Sequence, residues 1–133
     1  MNGYIITRVV GVTFPNEDGT SRQHIIRDNC YAGQMVDLIH EEDNPRGQNA
    51  IKVCTSDGKQ IGYIPKEISS DIVSKSKDFD FYALINHTGL FKNYYAKVII
   101  FVVSKEDDYD VVQNLIQNQI KLISLRKEFL ENV

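Results

Sequence analysis

The sequence predicts a mainly β domain of the α+β class: a small six-stranded barrel with two short helices, followed by an added C-terminal helix. Three observations carry that expectation. Short runs of β-branched and aromatic residues recur with turn signals between them, as in a closed or half-closed barrel rather than a parallel sheet. Asp57-Gly58 sits between two apolar runs, which is a hairpin signal. From residue 108 the apolar spacing switches to a helical period.

Tyr4 to Phe14 reads as the opening strand, with Gly11 marking a bulge or a close backbone approach. Pro15 to Thr20 is a loop by its turn residues. Ser21 can cap a helix over 22–29 that turns Ile25 and Ile26 inward. After Gly33, Met35 to His40 reads as a second strand. The stretch Glu41 to Gln48, with Asn44-Pro45 and Gly47, is irregular. Ala50 to Cys54 and Gln60 to Ile64 form a hairpin around Asp57-Gly58. Pro65 suits a first helical position, and Ile68, Ile72 and Val73 give a helix over 66–75 one apolar face. Strands at 79–87 and 94–103 complete the barrel, with His87 to Asn93 connecting them.

The last helix spans 108–131. Val112, Ile116, Ile120, Ile123 and Leu130 fall at helical spacing, flanked by Leu115, Leu122 and Phe129. Asp107, Asp108 and Asp110 lie near its start, where the helix dipole favours negative charge, and Arg126 and Lys127 lie toward its end. The expected organisation is therefore a barrel domain over 1–105 and an amphipathic helix over 106–133.

Composition is ordinary for a globular chain: 133 residues, 42% hydrophobic, 25% charged and a net charge of −3. That excludes collagen-like, disordered and disulfide-scaffold classes. The charge is unevenly placed. Residues 106–133 hold Lys121, Arg126 and Lys127 against Glu106, Asp107, Asp108, Asp110, Glu128 and Glu131, so residues 1–105 balance to zero. Any nucleic-acid function must then rest on a local site and not on bulk charge. No apolar run approaches a membrane span. Met1-Asn2-Gly3-Tyr4 shows no signal-peptide pattern, so the expected location is the cytoplasm. Cys30 and Cys54 read as reduced thiols, not a disulfide or a zinc site.

Catalytic motifs are missing from the sequence. There is no phosphate-cradling Gly-x-x-x-x-Gly-Lys loop, no Gly-x-Ser-x-Gly elbow and no His-Glu-x-x-His helix. His24, His40 and His87 fall in different elements, and His40-Glu41-Glu42-Asp43 reads as a solvated acidic turn. No enzyme activity, metal or cofactor is expected.

One constellation is more specific. Leu38 to Asn44, then Pro45-x-x-x-Asn49-Ala50-Ile51-Lys52-Val53, precedes Asp57-Gly58 and Gln60-Ile61-Gly62-Tyr63-Ile64-Pro65-Lys66-Glu67. With Val10-Gly11-Val12-Thr13-Phe14 upstream, this resembles the HIRAN domain over residues 4–103. The resemblance implies an OB/SH3-like barrel that binds nucleic acid, capturing a single-stranded 3′ DNA end in the best understood member. There an aromatic pair stacks on bases, an acid in the Asn-Pro loop grips the terminal hydroxyl, and basic groups hold phosphate.

Position by position the match is partial. Thr13 stands where that member has Arg, and the aromatic pair becomes Phe14-Pro15. The loop aromatic and acid become Arg46 and Gly47, so selection of a 3′ hydroxyl does not carry over. Lys66 remains for a phosphate, Tyr63 keeps a ring beside it, and Arg22 fits a pattern associated with bacterial forms of the family. The candidate nucleic-acid residues are thus Phe14, Arg22, Arg46, Tyr63 and Lys66, with Asn44, Pro45 and Asn49 shaping the loop. Phe14 fits a stacking platform or a core strand position, and Tyr63, sharing a face with Ile61, fits pocket or core. The implied function is recognition of single-stranded or end-exposed DNA in repair or replication-linked processes. The alternative is a protein-interaction or self-association module working through 108–131, accessory to a separate nuclease or helicase.

Overall fold

A computed structural model describes residues 3–131, with side chains through Arg126. The readings on Met1, Asn2, Lys127, Glu128, Phe129, Leu130 and Glu131 lie outside these residues or their described side chains. In chain order the elements are β1 (Gly3–Arg8), α1 (Arg22–Asn29), β2 (Met35–His40), β3 (Ile51–Thr55), β4 (Gln60–Tyr63), α2 (Lys66–Lys75), β5 (Phe79–Phe91), β6 (Asn93–Ser104) and α3 (Tyr109–Glu131). The strands form one sheet in the order β1-β6-β5-β2-β3-β4, with every neighbouring pair antiparallel.

The sheet curls until its two ends meet. Just beyond β1, Val10 N–H donates to the Tyr63 carbonyl at 2.8 Å, and Tyr63 N–H donates to Val10 O at 2.9 Å. That bridge joins the β1 side of the sheet to β4 and gives the half-barrel its closure. Gly62 permits it: a Cβ there would lie 2.4 Å from Val10 O and 2.7 Å from Val9 Cγ1, distances no side-chain carbon tolerates.

Strand alternation divides the apolar residues between two cores. Val9, Val36, Val53, Ile61, Ile85, Val98 and Ile100 fill the barrel, plugged by Ile25 and Ile26 of α1 and Ile72 of α2. Leu84, Ile99, Phe101 and Val103 face the other way and are covered by Val112, Ile116 and Ile123 of α3. Both faces of the central β5–β6 pair are therefore buried, which accounts for the unbroken apolar run Val98–Val103. Helix α3 opens with Asp108, whose carboxylate accepts the Asp110 N–H at 2.8 Å in the manner of an N-cap.

Two segments depart from the sequence expectations. β1 stops at Arg8, and residues 11–14 form a turn with Phe14 N–H donating to Gly11 O at 3.3 Å. Gly11 sits at φ +71, a left-handed conformation that ends an extended run. Residues 88–93, read as a connection, instead continue β5 and β6 to a tight reversal at Lys92, with φ +63. Gly89 makes room there, for a Cβ would meet the Tyr95 hydroxyl at 2.4 Å.

Candidate functional site

A groove of about 1240 Å³ opens where the barrel closes. Its walls come from the 11–20 segment, the Glu41–Ala50 loop, the β3–β4 hairpin and the start of α2. It gathers Phe14, Arg22, Asn44, Pro45, Arg46, Asn49, Tyr63 and Lys66, all the side chains singled out from the sequence as site or loop residues.

The segment Ser21-Arg22-Gln23 clamps the upper wall. Ser21 caps α1 by accepting the His24 N–H. Arg22 donates from Nε to Asn16 Oδ1 at 2.7 Å and from Nη1 to Gly11 O at 2.9 Å. Gln23 donates from Nε2 to Val12 O at 2.9 Å and to Tyr94 O at 2.8 Å, and its amide oxygen accepts the Tyr94 N–H. Asn16 in turn donates to Gln60 O at 2.9 Å, tying this loop to the β3–β4 hairpin. The turn carrying Phe14 is thereby held from both sides.

Phe14 is 56% exposed. A turn residue, not a strand residue, it projects from the sheet instead of into it. The Arg46 guanidinium lies 5.9 Å from its ring centroid, a cation–π separation. Tyr63 is half-buried on the wall, with the Arg22 guanidinium 5.4 Å from its centroid. A Cβ on Gly11 would stand 3.4 Å from Arg22 Nη1 and 3.9 Å from both rings, so Gly11, Phe14, Arg22 and Tyr63 form one tight cluster.

The lower wall is a chain of turns closed by Glu41 N–H on Ala50 O. Asn44 organises it: Oδ1 accepts the Arg46 N–H at 2.8 Å, while Nδ2 reaches Glu41 Oε1 at 3.2 Å and the Tyr63 hydroxyl at 3.4 Å. Asn49 contacts Ser70 Oγ of α2 at 3.4 Å. His40 Nε2 pairs with Gln48 O at 2.7 Å, with Glu42 3.9 Å from its other nitrogen.

The charges in the groove are unequally engaged. Lys52 pairs with Glu41 at 3.8 Å and Lys59 with Asp57 at 3.4 Å. The Asp18 carboxylate accepts from the Thr20 hydroxyl and N–H, and Asp57 from the Thr55 hydroxyl; these bonds hold both acids below the usual carboxylate range. Arg22, Arg46 and Lys66 have no carboxylate at ion-pair distance among the described residues. Arg22 is also 8% exposed, a burial that cations rarely accept without a counter-ion. Asn16 and Gln23 escaped sequence reasoning as site residues, since a polar loop residue and a helix Gln carry no distinguishing pattern; Gly11 was legible as a bulge or close backbone approach, but not as a neighbour of Phe14, Arg22 and Tyr63.

Comparison with known proteins is consistent with this geometry. The family model described as HIRAN domain matches residues 2–88. A stretch of 57 residues is 40% identical to the helicase-like transcription factor of Oryctolagus cuniculus, covering 39% of this chain and 6% of that protein's length. Among solved structures, the HIRAN domain of human HLTF superposes with a TM-score of 0.60 at 20% identity, covering 91% of this chain and 88% of that one. The same domain in its DNA-bound conformation gives 0.55 at 20% identity, covering 92% and 89%. A protein from Lactobacillus plantarum gives 0.57 at 17% identity, covering 77% of this chain and 99% of the other.

Proposed function

This chain belongs to the HIRAN domain family, and we propose that it is a nucleic-acid-binding module whose groove receives an unpaired or end-exposed DNA strand. The observation that carries this reading is the pairing of an exposed ring with cations outside any ion pair: Phe14 stands open in a groove where, among the described residues, Arg46, Lys66 and Arg22 have no carboxylate at ion-pair distance. A base stacked on Phe14 is flanked by the Arg46 guanidinium, and phosphates find Lys66 at the rim, the combination that single-strand binders use. The DNA-bound conformation of the HLTF domain, a fold neighbour, supports the same reading.

Phe14, Arg22, Arg46, Tyr63 and Lys66 are the proposed contacts, with Asn44, Pro45 and Asn49 holding the loop. No catalytic step is assigned to them. The setting we infer is repair or replication-linked DNA metabolism in the cytoplasm. Fluorescence anisotropy with single-stranded and duplex oligonucleotides tests the reading: saturable binding that weakens as salt rises is expected, and no signal change with either ligand would sink it.

A second reading has its own observation. Between β1 and α3 lies a cleft of about 360 Å³ lined by Tyr4, Ile6, Phe101, Leu122 and Ile123, with Tyr4, Ile6, Leu122 and Leu125 largely exposed. This favours a protein contact or self-association there. A concentration-dependent mass in sedimentation equilibrium, abolished by Leu122→Glu, would support it; a constant monomer mass would remove self-association.

A further inference from the structure

Strand β1 uses only one of its two edges. Val9 N–H donates to Ala96 O of β6 at 2.9 Å, whereas Val10 turns the other way, to Tyr63. The β1–β6 register runs unbroken from Gly3 opposite Val102 to Arg8 opposite Lys97, and an antiparallel strand points the main-chain groups of successive residues in alternate directions. Ile5 and Thr7 therefore aim N–H and C=O at β6, and Tyr4, Ile6 and Arg8 aim theirs away from it. β4 does not meet them. With Val10 opposite Tyr63, the position facing Arg8 would be Pro65, which has no N–H to give and already starts α2. Among the described residues, the outward groups of Tyr4, Ile6 and Arg8 make one hydrogen bond, from the Thr7 hydroxyl to Arg8 O at 3.3 Å.

The side chains along this edge are open too. Ile5 packs on the barrel core, but Tyr4 and Ile6 are 60% and 51% exposed and line the outer cleft with Leu122. Edge strands of monomeric proteins are commonly blunted by a proline, a bulge or a charge. Gly3–Arg8 has no proline and no break in register, and its single charge, Arg8, comes last. The Arg8 guanidinium lies 5.7 Å from the Tyr95 ring centroid and has no carboxylate at ion-pair distance among the described residues. An unpaired ladder beside an apolar cleft is a receptor for an extended strand.

The strand that fits is β1 itself. A two-fold axis through Ile6 sets that residue against its counterpart in a second copy and sets each Tyr4 against the other copy's Arg8. All three outward residues then exchange main-chain bonds with the residue opposite. A guanidinium across from a tyrosine is a favourable cross-strand pair, and this arrangement keeps the two Arg8 side chains apart. Parallel pairing would set cation against cation. Leu122, exposed above the same cleft, adds the apolar cover that a strand junction alone lacks.

Building on the self-association reading above, we propose that two copies of this chain join β1 edge to β1 edge, antiparallel about Ile6, into one continuous sheet. Sedimentation equilibrium and amide hydrogen exchange of the full chain, from micromolar to millimolar concentration, test this. The expected result is a dimer mass at high concentration, with the Tyr4, Ile6 and Arg8 amides slowed about tenfold or more and those of Ile5 and Thr7, already bonded to β6, changing far less. Ile6→Pro deletes an N–H that bonds nothing in the single chain, and Ile6→Lys sets two ammonium groups across the axis. Both should remain monomeric with an unchanged circular dichroism spectrum; if the proline variant fails to fold, the lysine variant decides. A monomer mass throughout overturns the proposal and self-association with it. A dimer whose Tyr4, Ile6 and Arg8 amides exchange at the monomer rate, or one that survives Ile6→Lys, overturns edge pairing while leaving self-association through Leu122 intact.

Discussion

Phe14 shows how one residue changes meaning between sequence and structure. In the sequence it ends a β-rich run; in the fold Gly11 has already turned the chain, so the ring stands free beside Arg46. Phe14→Ala removes little packing, since the ring is mostly exposed, and should leave the circular dichroism spectrum and unfolding midpoint nearly unchanged. It should weaken single-strand binding by about 1–3 kcal/mol, measured by anisotropy. Cys30 gives a residue-scale expectation of another kind. Burial pushes its thiol up to about 11, so the thiolate is scarce at neutral pH and alkylation by iodoacetamide at pH 8 should be much slower than for an unfolded control. The linkage sign follows. The unfolded thiol, near 9, ionises first, so stability held below that pH is lost as pH rises from about 9 through 11.

At the scale of elements, barrel closure rests on Gly62. Gly62→Ala sets a methyl against Val10 O and Val9, and should lower stability in urea unfolding by about 1–3 kcal/mol. An unchanged midpoint would show that the Val10–Tyr63 bridge is not where the sheet is held. Most elements were legible because their signals are local: Ser21 caps α1, Asp57-Gly58 turns the hairpin, and Val112, Ile116 and Ile123 mark the buried side of α3. The extended β5–β6 hairpin was not, because Gly89 reads as a turn residue when it is instead the space that Tyr95 fills. The groove was legible only in part. The resemblance supplied the names of its lining residues, but burial of Arg22 depends on Gly11 O and Asn16 converging from a separate loop, and sequence order carries no trace of that meeting.

For the whole molecule, α3 and the charge distribution matter most. Ile116 is buried against the outer face of the sheet, and Ile116→Ala should cost about 2–5 kcal/mol, as buried large-to-small changes do. Thermal unfolding of the variant checks it, and a negligible shift would mean that α3 contributes little to holding the sheet. The net charge of −3 is concentrated beyond residue 105, so attraction to DNA has to come from the groove alone. With Arg22, Arg46 and Lys66 as the phosphate contacts, the logarithm of single-strand affinity should fall against the logarithm of salt with a slope of about −2. The most direct measurement is anisotropy of a labelled single-stranded oligonucleotide titrated with wild-type protein and Phe14→Ala across 50–200 mM salt, concentrations chosen at about the range where counter-ion release is measurable. Saturable wild-type binding with that shallow slope, weakened in the variant, is the expected result. Absence of wild-type binding at every salt, or binding indifferent to Phe14, would contradict the groove as a nucleic-acid site.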